Sequence, residues 1–351
     1  MNPAVSEVTD VSEASGESGA SEASEASTDA VVLAAEPAPI FLMGATACGK
    51  TALSVRLAKA LDAEIISVDS ALVYRDMNIG TAKPTLAERD GIAHHLIDVC
   101  DPWQSYSAAD FCTDACALIK AIHQRGKRAL LVGGTMLYFK ALEEGLSQLP
   151  EADAQVRKTI EQEAQAQGWH ALHDQLRCVD PEAAARIHPN DPQRLQRAIE
   201  VYRISGVAMS ELHKRTQSYL AVPPVKFALV PHDRSWLHQR IEQRFRQMID
   251  NGFLAEVQAL HKQERLHSQL PAMRSVGYRQ AWHHLDKNAD DEQAMQAAES
   301  EWVEKAVAAT RQLAKRQLTW LRSMANVELI ECDTQSLDQQ LASILQKVNS
   351  H

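Results

Sequence analysis

No stretch of this 351-residue chain holds the ~18–20 successive apolar residues that a bilayer-spanning helix needs. The longest apolar patch near its start, Val31–Ala35, is too short for the core of a secretory leader. Residues 1–37 contain neither Lys nor Arg, the reverse of an Arg-rich, acid-poor mitochondrial transit peptide. Cysteine is sparse. Cys48, Cys100, Cys112, Cys116, Cys178 and Cys332 lie scattered along the chain, which excludes the disulfide framework of a small secreted domain. Cys112 and Cys116 fall one helical turn apart with His123 further on, but no second pair with zinc spacing accompanies them. They read as core cysteines. No internal repeat is evident. The expectation is a cytoplasmic protein with no membrane attachment.

The apolar fraction of 45% is enough for a real core. The length exceeds the usual ~100–150 residues of one domain and predicts two lobes or a core with an insertion. Lys and Arg number 36 against 46 Asp and Glu, and a net charge of −10 argues against a nucleic-acid partner. The charge is unevenly spread, however. Glu7, Asp10, Glu13, Glu17, Glu22, Glu25, Asp29 and Glu36 all fall in residues 1–37, so 38 acids face 36 bases in the remainder, a balance of −2. Residues 1–37 repeat Ser, Glu and Ala, and their low hydrophobicity and one-sided charge predict a disordered acidic tail.

Beyond the tail, strands and helices alternate. Ile40–Met43 reads as a buried strand, Thr51–Leu61 as a helix, Glu64–Val68 as a second strand and Leu96–Val99 as a third. A helix over Ser107–Gln124 and a strand over Arg128–Val132 follow. This alternation predicts a parallel sheet with helical crossovers. From Gly145 the pattern is helical and is broken by Gly168, Pro181, Pro189, Pro192 and Gly206, which predicts an insertion over residues 145–215. Lys226–Pro231 looks like a returning strand. Three or four helices, a last strand at Val327–Ile330 and a closing helix complete the chain. Residues 38–144 and 216–351 are then two parts of one core.

Gly44, Ala45, Thr46, Ala47, Cys48, Gly49, Lys50 and Thr51 fit G-x-x-x-x-G-K-[ST], with a strand before and a helix after. Such a loop aims backbone N–H groups and a helix N-terminus at phosphate oxygens. Lys50 adds a full charge and Thr51 a hydroxyl for Mg²⁺. The fold class expected is therefore α/β: a P-loop NTPase-like parallel sheet flanked by helices, with an inserted helical domain. The loop does not select among a kinase, a nucleotide hydrolase and a diphosphate-using transferase.

Asp69 ends the second strand, and Gly133-Gly134-Thr135 follows the strand at 128–132, so three strand ends converge on one crevice. Arg240 and Arg244 are four apart and share a helix face; with Arg246 they could clamp a triphosphate or a diphosphate, or form a solvated basic face. Three further segments are rich in bases: Gln193–Arg197, Arg274–Arg279 and Arg311–Arg322. In the last, Val307, Ala314, Leu318 and Leu321 form a narrow apolar face with Arg311, Lys315 and Arg322 beside it. Arginines near aromatic residues suit an anionic polymer with unstacked bases.

These residues resemble a known family. The P-loop, Asp69–Pro84 (DSALVYRDMNIGTAKP), Leu131–Leu142 (LVGGTMLYFKAL), His188–Val201 (HPNDPQRLQRAIEV), the Arg274–Gln280 run and Lys315–Arg322 (KRQLTWLR) are similar to tRNA dimethylallyltransferases, over residues of about 38 to 330. Ala45 and Cys48 stand where that family commonly has Pro and Ser, and the zinc-finger extension of some eukaryotic members is absent, which favours a bacterial type. The resemblance implies a monomer that moves a dimethylallyl group from its diphosphate to N6 of adenosine 37 in tRNAs reading codons that begin with U. It implies a channel open to the tRNA anticodon stem-loop at one mouth and to dimethylallyl diphosphate at the other. It assigns Asp69 as general base, Thr135 to positioning, Arg244 to charge stabilisation and Mg²⁺ to the diphosphate. It places tRNA contacts at Asp69, Ser70, Ala71, Leu72, Thr135 and Arg157. Further contacts fall at Gln193, Arg194, Leu195, Gln196 and Arg197, and at Arg274, Ser275, Val276, Gly277, Tyr278 and Arg279. The last set is Lys315, Arg316, Gln317, Leu318, Thr319, Trp320, Leu321 and Arg322.

Overall fold

The computed structural model describes residues 37–147, 149–214, 216–288 and 299–350. The expected acidic tail lies outside them except for Pro37. Six strands, β1 (Ile40–Gly44), β2 (Ala63–Val68), β3 (His94–His95), β4 (Arg128–Gly133), β5 (Val225–Val230) and β6 (Glu328–Glu331), make one sheet in the order β3-β2-β4-β1-β5-β6. Every neighbouring pair is parallel. Every residue of β1 and β2 is buried, as expected for strands covered on both faces. Because β1 lies between β4 and β5, its carboxyl end opens at the middle of one sheet edge.

The helices α1 (Lys50–Leu61), α2 (Leu86–Arg89), α3 (Ala108–Gln124) and α4 (Met136–Glu144) belong to the first part of the core. Ser107 caps α3 through a reciprocal bond pair with Asp110, fixing the start of that helix. Cys112 lies in the core, and Cys116 packs against it. The expected strand at Leu96–Val99 is not formed; pairing stops at His95. Leu96 and Asp98 both take left-handed backbone conformations with φ of 58°, which interrupts an extended strand. The Asp98 and Val99 amides instead bond to the carbonyls of Leu72 and Val73.

Five helices occupy the expected insertion: α5 (Ala154–Gln167), α6 (Trp169–Val179), α7 (Pro181–Arg186), α8 (Pro192–Ser205) and α9 (Met209–His213). Pro181 and Pro192 start α7 and α8, where the missing N–H costs nothing. Their core, with Ile160, Leu172, Leu176, Leu195 and Ala198, is separate from that of the sheet. The chain returns through β5 to α10 (Arg234–Asp250), α11 (Phe253–His261), α12 (Tyr278–Lys287), α13 (Glu299–Ser323) and α14 (Leu337–Val348). On α13 the expected face of Val307, Ala314, Leu318 and Leu321 is buried. No helix among the described residues is long and apolar enough to cross a membrane.

Candidate active site

The loop between β1 and α1 is built to present backbone. Ala45, Ala47 and Cys48 are buried, Gly49 takes φ 92°, and Gly49 and Thr51 are exposed. The first turn of α1 holds no acid, so its positive end faces the crevice uncompensated. Lys50 Nζ donates to the carbonyls of Gly44 (3.0 Å) and Ala45 (2.8 Å), and burial pushes its pKa below the usual lysine value. The Cys48 thiol is hydrogen-bonded to Cys332 beyond β6; this bond, with Lys50 and Arg240 nearby, lowers its pKa.

The ends of β2 and β4 meet beside this loop. A Cβ on Gly133 would lie 2.0 Å from the Val68 carbonyl oxygen, so only glycine allows β4 to pass so close to β2. Asp69 Oδ1 accepts the Ala71 N–H at 2.8 Å, and Thr135 Oγ1 accepts the Ser70 N–H at 3.1 Å. Across the crevice, Arg240 Nε donates to the Ala47 carbonyl at 2.9 Å while its guanidinium covers Trp236 at 4.8 Å. Arg244 Nη1 reaches Thr46 Oγ1 at 3.5 Å; burial lowers its pKa, and Asp69 opposes that shift. Arg246 turns away and donates to Glu242 at 2.6 Å.

These groups surround a cavity of about 700 Å³, whose walls include Lys50, Thr51, Asp69, Gly134, Arg240 and Arg244. A second cavity of about 130 Å³ shares Thr46, Asp69, Thr81, Arg244 and Gln317 with it and adds apolar Ile241, Phe245, Met248, Val276 and Leu313. Thr135 borders neither cavity; its hydroxyl holds the loop that carries Asp69. Sequence reasoning missed Ser67, whose buried hydroxyl has no partner among the described residues and which borders the larger cavity. Its signal was available: Ser67 lies two residues before Asp69 at the end of a strand, on the same face. Glu88 and Gln243 on the cavity wall carried no such signal.

Exposed Thr51, Ser67 and Asp69 all border this cavity, and their side chains offer oxygen donors only. That chemistry fits Mg²⁺, which retains waters and phosphate oxygens in its shell.

The basic segments divide sharply. Arg157 and Arg197 both bind Glu200, at 2.8 and 2.7 Å, and Glu200 is fully buried. Gln196 donates to Glu161 at 2.9 Å. In this segment Gln193 and Arg194 are exposed and Leu195 is core. Arg274 and Arg279 are exposed, Ser275 and Val276 half-buried and Gly277 buried. The expected stacking aromatic, Tyr278, is completely buried, with its hydroxyl donating to Glu256 at 2.5 Å and its ring edge-on to Phe253. From this position it borders the smaller cavity. On α13, Lys315, Arg316, Thr319 and Arg322 are exposed, Trp320 is half-buried with Lys140 over its ring, and Leu318 and Leu321 are core. Helical and turn periodicity explain this division: a contiguous segment points only part of its side chains outward.

The family model described as IPP transferase matches residues 72–324. The chain belongs to this family. Like other IPP transferases it is a prenyl-transferring enzyme. Among solved structures, it is 37% identical to the full-length tRNA isopentenylpyrophosphate transferase of Bacillus halodurans, over 90% of this chain and 96% of that one, with a TM-score of 0.63. It is 34% identical to the tRNA isopentenylpyrophosphate transferase of Staphylococcus epidermidis, over 90% of this chain and 100% of that one, with a TM-score of 0.62. A eukaryotic dimethylallyltransferase captured acting on tRNA matches 90% of this chain and 80% of its own at 26% identity, with a TM-score of 0.74. The family match begins just beyond Asp69, whereas each of the three solved structures matches 90% of this chain.

Proposed function

We propose that this IPP transferase moves the dimethylallyl group of dimethylallyl diphosphate to N6 of adenosine 37 in tRNAs that read codons beginning with U. The observation that carries this is the meeting of a diphosphate-type loop, the positive charges of exposed Arg240 and half-buried Arg244, and the Asp69 carboxylate on the wall of a single cavity. A kinase would need the same loop, but an adjoining apolar cavity around Ile241, Phe245 and Met248 suits a prenyl chain better than a sugar or base edge.

In this mechanism the P-loop amides, Lys50 and Arg244 hold the diphosphate. Thr51 presents the hydroxyl that would hold Mg²⁺, and the ion, when bound, supplies charge to the diphosphate oxygens. The exocyclic amine of an adenine flipped from the anticodon loop attacks C1 of the allyl group. The C1–O bond breaks, and diphosphate leaves with the electron pair. Asp69 accepts the proton released from N6. Flipping an anticodon-loop base costs a few kcal/mol, least where the base is unpaired, so a single-stranded target is the accessible one. Exposed Arg194, Arg274, Arg279, Lys315, Arg316 and Arg322 offer the phosphate contacts. Work as a monomer in the cytoplasm completes the proposal.

Acceptor choice tests it. Diphosphate release is followed with dimethylallyl diphosphate, Mg²⁺ and one of three acceptors: an anticodon stem-loop with A37, the same stem-loop with G37, and free AMP. Release with A37 alone is expected. Release with AMP and not with the stem-loop would assign the protein to free-nucleotide prenylation instead.

A further inference from the structure

The side chain of Gln317 is held by two backbone groups from different loops. Its Oε1 accepts the Thr46 N–H of the P-loop at 2.9 Å, and its Nε2 donates to the Gly134 carbonyl at 2.8 Å. Space for it exists because residue 134 is glycine: a Cβ there would lie 2.4 Å from Nε2. The next residue, Thr135, accepts the Ser70 N–H, and Ser70 follows Asp69. A continuous series of contacts thus runs from the phosphate loop, through Gln317 and the Gly134–Thr135 turn, to the loop carrying Asp69. Gln317 borders both cavities and stands on α13 among the exposed bases Lys315, Arg316 and Arg322.

We propose that Gln317 is a positioning residue for group transfer: it holds the P-loop and the Asp69 loop in one register and ties both to the basic helix α13, rather than contacting RNA itself. This rests on the proposed tRNA prenyl transfer. The electrophilic carbon and the attacking nitrogen must meet at about 3–3.5 Å, and a displacement of about 1 Å costs on the order of 100-fold in rate. The two partners are held by different loops, so a bond between those loops sets that distance. A primary amide is suited to the task because it accepts at one atom and donates at the other. A glutamate would keep the Thr46 bond but set an acceptor against the Gly134 carbonyl. A leucine would make neither bond.

The test uses the full chain with Gln317→Leu and Gln317→Glu. For each, the Kd of dimethylallyl diphosphate with Mg²⁺, the Kd of tRNA and the single-turnover transfer rate at saturation are measured separately. The expected result is a rate lowered on the order of 100-fold in the leucine variant, a smaller loss in the glutamate variant, and both Kd values close to wild type. In a double-mutant cycle with Thr135→Val, the two losses should be less than additive, because both side chains act on one series of contacts. Should Gln317→Leu fail to fold, Gln317→Glu, which keeps its size and one bond, carries the comparison. A weakened tRNA Kd with an unchanged saturated rate would make Gln317 an RNA contact and overturn the inference, as would an unchanged rate in both variants. Absence of transfer by the wild-type protein would instead remove the proposed function beneath it.

Discussion

At the scale of single residues, the proposed function places the chemistry at Asp69 and the loop from Gly44 to Thr51, which border one cavity. On the proposed mechanism, Asp69→Asn should lower kcat by roughly 10²–10⁴-fold, the usual worth of a positioned base, while tRNA still binds. A near-normal kcat would remove the general-base role. Cys48 offers the opposite prediction. Its side chain is buried against Cys332, away from the cavity walls, and phosphate is held by amides, so Cys48→Ser should keep near wild-type activity; a large loss would mean that the thiol itself takes part. The P-loop and Asp69 were legible in the sequence because both are defined by spacing along one stretch of chain. The bridge Gln317 makes between two loops and the place of Ser67 on the cavity wall were not, since both depend on which loops lie opposite in space. Tyr278 shows the same limit: arginines on either side suggested an RNA platform, and only packing against Phe253 and Glu256 makes it core.

At the scale of elements, ion pairs hold the frame that carries the site. Glu64 on β2 binds Arg125 at the end of α3 (2.6 Å) and His95 on β3 (2.7 Å). The Arg125 hydrogen bond, opposed by burial and aided by His95, lowers its pKa from 4.5 to about 2. A depressed carboxylate pKa adds stability above the unfolded value and loses it as pH falls through the folded value. This contribution should therefore be complete above about pH 4.5 and fade toward pH 2. Glu64→Gln should cost roughly 1.5–3 kcal/mol at neutral pH and flatten the acid side of the stability curve; an unaltered acid limb would show that the clamp contributes nothing. The basic elements separate in the same way. The charges of Arg157 and Arg197 are spent on buried Glu200, whereas Lys315, Arg316 and Arg322 have no ion-pair partner among the described residues. Each of those three changed to Ala should lower the salt slope of tRNA binding by about 1, and a constant slope would make that edge of α13 an ordinary solvated face. Strand and helix order was legible from hydrophobic periodicity. The shortened β3 was not, because two left-handed residues leave no mark in an apolar run.

At the scale of the whole molecule, the net charge of −10 is a poor guide to partners. Eight acids fall in residues 1–37, and the rest of the chain is nearly neutral, with exposed bases at Lys315, Arg316 and Arg322 on α13 and at Arg274 and Arg279. Deleting residues 1–36 should leave tRNA affinity nearly unchanged in filter binding at physiological salt, and a large shift either way would give that segment a part in binding. The central claim concerns what the cavity between the P-loop and Asp69 does. Purified full-length protein is incubated with unmodified tRNA, dimethylallyl diphosphate and Mg²⁺, and the digested nucleosides are weighed by mass spectrometry. The account predicts one adenosine per tRNA, that at position 37, heavier by one dimethylallyl group in place of one hydrogen. No such gain on any adenosine of the tRNA would contradict it.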